Sequence, residues 1–166
     1  MSIQRVSNDI GGTVTIVPLT GSIPTKGYYL IGDNDAECIG GSNFYFGVAP
    51  DDSATTFIIN DNDLILLVSK LTAITICSDA AIIDKVGLGS NACTETTSIG
   101  NPGSNNSVER KAHIISTADT DATTGMYTGG GHASSGNSQD ANLNAFDFIV
   151  RTTPEPQNTT STIETP

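Results

Sequence analysis

The sequence predicts an all-β fold, in the form of an immunoglobulin-like β-sandwich with about 8 to 9 short strands. First, short runs of β-branched and aromatic residues recur along the chain, and Gly, Asn, Asp or Pro bounds each of them. Second, only 15% of the residues are charged, and Thr, Ser, Asn and Gly fill much of the remainder, which is typical of strands and turns. Third, no window of about 11 residues shows the apolar spacing of an amphipathic helix free of glycine and β-branched clusters.

The strand-like runs follow one another at a spacing of roughly 8 to 12 residues, as in sandwiches and barrels. A Gly-Ser-Ile-Pro turn at residues 21–24 precedes the second run, and residues 60–63 form a turn between two apolar runs. The predicted strands are Thr13–Val17, Gly27–Ile31, Thr55–Asn60, Leu64–Ser69, Thr72–Ile76, Ala81–Val86, Ser107–Ala112 and Phe146–Arg151.

Two long polar segments and a polar end complete the chain. Residues 91–106 and 116–144 are rich in Thr, Ser, Gly and Asn, which makes them too polar and flexible to contribute much core. From residue 152 onward Pro alternates with Thr and Ser, which predicts a linker or tail. Because 166 residues suffice for one good core, we expect one sandwich domain over residues 1–151 and a tail over 152–166.

The charge of the chain disfavours several classes of partner. Acidic residues outnumber basic ones 18 to 7, which gives a formal net charge of -11. Nucleic-acid backbones and anionic membrane surfaces both require clustered positive charge, and no Lys/Arg cluster occurs. The longest apolar candidate, Leu64–Val68, is far shorter than the ~20 residues of a membrane span. The first residues show no signal peptide, so the chain is either cytosolic or has lost a leader.

Three cysteines, Cys38, Cys77 and Cys93, allow three single bridges and leave one thiol over. The pair Cys77 and Cys93 is favoured because it flanks the apolar run Ala80–Val86. In the chain-entropy model, closing a loop of ~15 residues contributes about 3 kcal/mol of stability. Three reduced, buried thiols are an equal alternative on spacing alone. The three positions are too dispersed for a zinc site.

Alternating acidic residues raise the question of calcium. Asp61 and Asp63, and likewise Asp119 and Asp121, place carboxylates on one side of a loop and could supply some of the six to eight oxygen ligands that calcium takes. The Asp61 segment lacks the glycine and glutamate of an EF-hand loop. Asp and Asn are also the ordinary residues of tight turns, and this interpretation is preferred. We therefore expect no cofactor, with calcium as a minor alternative.

An enzyme is the least favoured class. His113 and His132 are the two histidines of the chain, yet no Gly-x-Ser-x-Gly elbow occurs, and His132 lies in a Gly/Ser run that would hold it poorly. Surface histidines are the preferred interpretation. A hydrolase using Asp61 and Asp63 would need apolar surroundings that separate two pKa values, and neither residue has them. The chain is expected to be non-catalytic.

One buried ion pair is predicted from strand patterns. Asp147 interrupts an apolar strand, as does Asp84, and Arg110 lies in another strand. An unpaired buried charge is costly, so a half-buried pair between Arg110 and Asp147 would allow both residues to be tolerated.

Several segments, in this order, resemble the bacterial lamin-tail domain family. In that family a strand and a Gly-Pro-type turn lead to an aromatic strand, then come two cysteines around an Asp-containing strand, a Ser-x-x-Arg strand, an Asp-Thr-Asp segment and a closing strand. The matching segments here are VTIVPLTGSIPTKGYYLIG (Val14–Gly32), the apolar hairpin Leu64–Ile76, Cys77, AAIIDKVGLGSNAC (Ala80–Cys93), SVERKA (Ser107–Ala112), Asp119–Asp121 and NLNAFDFIVRTTPEPQN (Asn142–Asn158).

The resemblance covers about Val14 to Asn158 and implies an immunoglobulin-like sandwich in an oxidising, extracellular setting. It also implies the Cys77–Cys93 disulfide. Two features depart from the family. The family opens with strands that carry a FIELYN segment and an LSGW turn, whereas this chain begins after them, with Ser2–Val6 as a remnant of the next strand. The Gly-rich insertion between Asp121 and Asn142 is longer than usual.

The expected function is therefore that of a non-catalytic protein-interaction module, extracellular or at a cell surface, within a secreted protein. The alternative is a structural subunit of a surface filament or layer, in which a neighbour's strand covers the edge that missing strands leave open. Protein partners or self-assembly are expected, without nucleic acid and without membrane insertion.

Overall fold

The computed structural model describes residues 1–23, 27–33, 48–54 and 57–164. Its strands form antiparallel pairs with one parallel exception, and its one helix among the described residues has four residues, so the all-β class is confirmed. In chain order the elements are β1 (Ser2–Val6), β2 (Val14–Pro18), β3 (Ile31–Asp33), β4 (Asp52–Ala54), β5 (Leu64–Val68), β6 (Ile82–Gly87), β7 (Ser107–Arg110), α1 (Asn144–Asp147) and β8 (Phe148–Arg151).

The chain forms two compact units, each made of three segments. Unit 1 comprises Met1–Thr20, Phe57–Gly103 and Ala141–Phe146, and unit 2 comprises Gly21–Thr56, Ser104–Asp140 and Asp147–Pro166.

Unit 1 is built on a four-stranded antiparallel sheet in the order β2-β1-β5-β6. Ser2–Val6, expected only as a remnant, is an inner strand that pairs with β2 on one side and β5 on the other. Alternate residues of β1 and β5 are buried, as the period of two in a strand requires. They pack one face of the sheet into a core made of Val6, Leu64, Leu66, Val68, Ile74 and Cys93.

The segment Thr72–Ile76 is not the strand that its β-branched residues predicted. The side chain of Gln4, fully buried on β1, instead makes the hydrogen bonds that a neighbouring strand would make. Its Nε2 donates to the carbonyl oxygen of Thr72 at 2.9 Å, and its Oε1 accepts from the backbone N–H of Ile74 at 2.9 Å. The backbone of the segment is thus satisfied without a sheet ladder, and Ile74 enters the core at 1% exposure.

A disulfide joins Cys77 to Cys93, with the two Cα atoms 5.5 Å apart. This is the pair that the sequence analysis favoured. Asp9, in the turn between β1 and β2, accepts from the backbone N–H of Ala92 at 2.8 Å and of Cys93 at 3.2 Å. The bridged segment is therefore also hydrogen-bonded to the sheet's own hairpin. Cys38 lies outside the described residues.

Asn144, fully buried, holds the end of β6 against the segment that follows Cys93. Its Oδ1 accepts from the backbone N–H of Gly87 at 3.0 Å. Its Nδ2 donates to the carbonyl oxygen of Lys85 at 3.1 Å and to the carboxylate of Glu95 at 2.8 Å. One amide side chain in this way satisfies backbone groups at a strand end where the ladder stops.

Unit 2 contains two small sheets, the parallel pair β3–β4 and the antiparallel pair β7–β8. The predicted strand Gly27–Ile31 begins only at Ile31, as β3, and the described part of the predicted strand Thr55–Asn60 is not a strand, while Thr55 and Thr56 lie outside the described residues. Strands β7 and β8 pair in register from Ser107 with Arg151 to Arg110 with Phe148.

The segment from residue 152 onward, expected to be a linker or tail, makes specific contacts within unit 2. Asn158 is 9% exposed, and its Nδ2 donates to the carbonyl oxygen of Ala49 at 2.8 Å. The backbone N–H of Thr159 donates to Asp51 at 3.0 Å, and Asp51 also accepts from the backbone N–H of Leu30 at 2.8 Å. These hydrogen bonds connect the residues after Arg151 to the segment that contains Ala49 and Asp51.

Candidate functional site

The buried acid Asp63, a calcium candidate, has protein partners on both carboxylate oxygens. It is 1% exposed. Oδ2 accepts from Arg5 Nε at 2.6 Å and from the backbone N–H of Asn60 at 2.7 Å, and Oδ1 accepts from the backbone N–H of Asn8 at 3.3 Å. These contacts explain how a carboxylate is tolerated at this depth, because each oxygen is hydrogen-bonded and one cation is adjacent.

The other candidates at the surface behave as turn residues. Asp61 accepts from Asn101 Nδ2 at 2.8 Å, and Asp121 accepts from the backbone N–H of Thr123 at 2.7 Å and of Thr124 at 2.9 Å. Within the part of the chain that the structure describes, none of the four calcium candidates belongs to a set of three acidic, cysteine or histidine side chains with converging ligand atoms. Calcium at these residues stays a prediction.

Arg110 and Asp147 are both connected to Gln139. Arg110 Nη1 donates to the carbonyl oxygen of Gln139 at 3.1 Å, and Gln139 Nε2 donates to Asp147 Oδ1 at 3.3 Å. Arg110 also lies over the ring of Phe148, 4.6 Å from its centroid, and 3.9 Å from a carboxylate oxygen of Asp140. Asp147 is fully buried. The direct Arg110–Asp147 pair stays a prediction, and Gln139 is a link that the sequence did not reveal.

Arg151, at the end of β8, is the centre of a charged cluster that the sequence analysis missed. Its side chain is 1% exposed. Nε donates to Asp119 at 2.6 Å, Nη2 donates to Glu155 at 2.7 Å, and Nη1 pairs with Glu109 and donates to the carbonyl oxygen of Met126 at 3.1 Å. Three carboxylates therefore surround one guanidinium. The available signal was an arginine that closes the apolar run FIVR.

The surroundings of Arg151 shift the pKa values of its partners in opposite directions. Burial raises the pKa of Glu109, and the charge of Arg151 only partly offsets this. Burial also acts to raise the pKa of Asp119, but hydrogen bonds from Thr152 and Arg151 outweigh it, so this pKa lies below the ordinary value. The pKa of Glu155 is likewise lowered against the effect of burial. The cluster anchors the long polar loop to β8 and is structural in character.

The polar loop begins with a tight turn from His113 to Ser116. The backbone N–H of Ser116 donates to the carbonyl oxygen of His113 at 2.9 Å, and the backbone N–H of His113 donates to Ser116 Oγ at 2.9 Å. Ser116 is 5% exposed, whereas Ile114 and Ile115 at the tip are 57% and 63% exposed. The turn thus holds two adjacent isoleucines in the solvent on a hydrogen-bonded base.

The Gly-rich segment that carries His132 is ordered by backbone hydrogen bonds. The N–H of His132 donates to Gly125 at 3.0 Å, and the N–H of Gly131 donates to Ala122 at 3.0 Å. A Cβ at Gly131 would lie 1.9 Å from the carbonyl oxygen of Thr123, so the close approach requires glycine. The expectation that this run would hold His132 poorly is therefore corrected, because the glycines permit close backbone packing.

The two histidines meet above Ser116. Ser116 Oγ lies 2.9 Å from His132 Nδ1, and the rings of His113 and His132 are 4.8 Å apart between centroids at an angle of 74°. The pKa of Asp121 lies below its ordinary value because the backbone N–H groups of Thr124 and Thr123 donate to it, and the charge of His132 acts in the same direction. Residues far apart in the sequence thus form one polar surface, which composition alone could not indicate.

Comparisons with family models, with curated proteins and with solved structures found no match for the chain. Among the described residues, no helix combines the length and the apolar character needed to cross a membrane.

Proposed function

We propose that the chain is a non-catalytic protein-interaction module that binds a partner protein through the turn from His113 to Ser116. The observation that carries this proposal is the exposure of Ile114 and Ile115, 57% and 63%, at the tip of that turn. Single exposed apolar side chains are common, but two adjacent ones on a loop otherwise rich in polar residues form a candidate anchor for an apolar pocket.

The hydrogen bonds of the turn favour binding because they reduce the cost of ordering it. The backbone of His113 and the backbone and side chain of Ser116 are paired within the turn. A segment that already has its bound conformation loses less conformational entropy when a partner immobilises it. Arg151, through Asp119 and the carbonyl oxygen of Met126, fixes the following part of the loop.

We further propose that the module is extracellular or at a cell surface, and that its fold is an immunoglobulin-like sandwich of the lamin-tail kind. The disulfide between Cys77 and Cys93 supports an oxidising compartment, since such bonds are rare in reducing ones. The resemblance of the segments between Val14 and Asn158 supports the family.

A peptide library displayed on phage provides the test, with the purified chain as the target. We expect enriched peptides to be apolar, and we expect the double substitution Ile114→Ser with Ile115→Ser to weaken their binding at least about 10-fold in calorimetry, because hot-spot residues carry most of an interface's energy. Ile83→Ser is the matched control, because Ile83 is 52% exposed and lies in unit 1.

The control variant is expected to bind the peptides as the original chain does. If the double variant also binds them with unchanged affinity, the turn is not the binding surface. A library that yields no enriched peptide after repeated selection would likewise contradict the proposal.

A second candidate function is self-assembly by strand addition. It is favoured by β2, which in the described part of the chain pairs on one side only, with β1. In this register the N–H groups of Val14 and Ile16 point away from β1, while Pro18 at the same edge offers none. Sedimentation velocity over a wide concentration range tests it: assembly is expected to grow with concentration and to be lost in Ile16→Pro. A monomer at every concentration would exclude it.

A further inference from the structure

The fold brings together the two histidines of the chain. His113 lies in a tight turn and His132 in the Gly-rich segment, and their ring centroids are 4.8 Å apart. Both segments are fixed by backbone hydrogen bonds, so the approach of the two rings is built into the fold. Imidazole is the commonest protein ligand for transition metal ions, which makes such a pair a natural donor set.

The separation of the rings suits a shared metal ion. A zinc ion binds imidazole nitrogen at about 2.0 to 2.1 Å in tetrahedral geometry, which places the centroids of two bound imidazoles roughly 5 Å apart. The rings of His113 and His132 already stand at that distance, with an angle of 74° between their planes. The separation of the two rings is therefore compatible with one shared ion.

Ser116 supplies the kind of support that metal-binding histidines have. A histidine that binds metal through one nitrogen usually donates its other ring N–H to a nearby acceptor, which fixes the tautomer. Ser116 Oγ lies 2.9 Å from His132 Nδ1 and can accept that proton, which leaves His132 Nε2 with a lone pair for the metal. Ser116 is itself held by the N–H of His113, so one buried hydroxyl connects both ligands.

We propose that His113 and His132 form a surface site for a divalent transition metal ion of the zinc type, with two imidazole ligands, water in the remaining positions, and Ser116 as a positioning residue. The carboxylate of Asp121, close to His132, adds negative charge that favours a cation. The inference does not depend on the proposed function of the turn, because the imidazoles and not the isoleucines carry it.

The test is a titration of the full chain with zinc chloride, followed by NMR of the imidazole signals, in a Cys38→Ser background that removes the thiol left over by the disulfide. Both imidazole signals are expected to shift together and to saturate. Calcium chloride at the same concentrations serves as the control, because calcium takes oxygen ligands and is expected to leave both signals unchanged.

Three variants distinguish the site from chance binding. His113→Gln and His132→Gln are each expected to abolish saturable zinc binding in calorimetry, because one imidazole alone binds weakly. Ser116→Ala is expected to weaken it by roughly 10-fold or more while both imidazole signals still shift, as for other partners of metal ligands. Imidazole signals that do not respond to zinc would overturn the proposal, as would unchanged zinc affinity in either histidine variant.

Discussion

The Nε atom of Arg151 lies 2.6 Å from Oδ1 of Asp119, and the two residues form the inner pair of a charged cluster. The side chain of Arg151 is 1% exposed and that of Asp119 17%, so solvent screens their interaction only weakly. Glu109 and Glu155 contact the same guanidinium. Because three carboxylates surround this one cation, removing the arginine is expected to destabilise the chain more than removing any one of the carboxylates.

We expect Arg151→Met to lower the free energy of unfolding by about 3–5 kcal/mol, the usual cost of leaving a buried ionic partner uncompensated. The free energy of unfolding of Arg151→Lys is expected to lie between those of the original chain and of Arg151→Met, because lysine keeps the charge but cannot form the same set of hydrogen bonds. Urea denaturation provides the measurement. As a control, Lys70→Met removes the more exposed pair between Lys70 and Asp79, and it is expected to lower the free energy of unfolding much less than Arg151→Met does. Equal costs for Lys70→Met and Arg151→Met would contradict this account.

The cluster also predicts how stability depends on pH. The pKa values of Asp119 and Glu155 are lowered in the folded chain, so their contribution is present above the unfolded pKa of about 4 and is lost as pH falls through the folded values. The raised pKa of Glu109 acts with the opposite sign, and its contribution is lost as pH rises above about 4.5. Thermal unfolding across the acidic range should therefore show a shallower acid loss in Asp119→Asn. If the stability of Asp119→Asn fell with decreasing pH as steeply as that of the original chain, Asp119 would not contribute to the acid dependence.

Gln4 offers a test of the hydrogen bonds that replace a strand. Gln4→Leu keeps an apolar stem but leaves the carbonyl of Thr72 and the N–H of Ile74 unpaired, at about 1–3 kcal/mol for each group. Chemical denaturation measures the loss. Gln157→Leu is the matched control, because Gln157 is only half-buried and its side chain bonds to the side chains of Glu164 and Tyr28, whereas Gln4 pairs with backbone groups. If Gln157→Leu lost as much stability as Gln4→Leu, the hydrogen bonds of Gln4 to the backbone would not explain its effect.

The disulfide predicts both a thiol count and a stability change. In the denatured, unreduced chain we expect one reactive thiol, that of Cys38, and three after reduction. Replacing Cys77 and Cys93 together with Ser is expected to lower the free energy of unfolding by about 2–5 kcal/mol. Three reactive thiols in freshly purified protein without reductant would show that the bond is not formed.

A double-mutant cycle on Arg110→Met and Asp147→Asn tests the predicted ion pair. If the two charges interact, directly or through Gln139, their coupling energy should lie at about 0.5–3 kcal/mol. The cycle of Arg110→Met with Asp140→Asn is the control, because Asp140 is 58% exposed at 3.9 Å and is expected to couple weakly. Additive effects at Arg110 and Asp147 would exclude the pair.

Strands that coincide with a run of apolar residues could be located from the sequence. Strand β5 is the continuous apolar run LILLV, and strand β6 (Ile82–Gly87) lies within one residue of the predicted strand Ala81–Val86. Strand β1 was expected only as a remnant, because the polar residues Ser2 and Gln4 occupy its buried face. Binary patterning fails at such positions, since burial there depends on hydrogen bonds that only the folded chain supplies.

The candidate site was less accessible to prediction because it joins distant segments. Nothing in the local sequence relates His113 to His132, or Arg151 to Glu109. The Gly-rich run that contains His132 was predicted to be flexible. The glycines instead permit close backbone contacts, as Gly131 does beside Thr123. Long-range pairing of polar groups follows from the topology, which local propensity does not encode.

The contacts of Glu155 and Asn158 bear on where the chain can be cut in the laboratory. The composition of the sequence suggests a fragment that ends at Arg151. Such a fragment would remove Glu155, which pairs with the guanidinium of Arg151, and Asn158, which donates to the carbonyl oxygen of Ala49. For the same reason a protease added to the folded protein should spare the bonds around Asn158 longer than their Thr-rich composition would suggest.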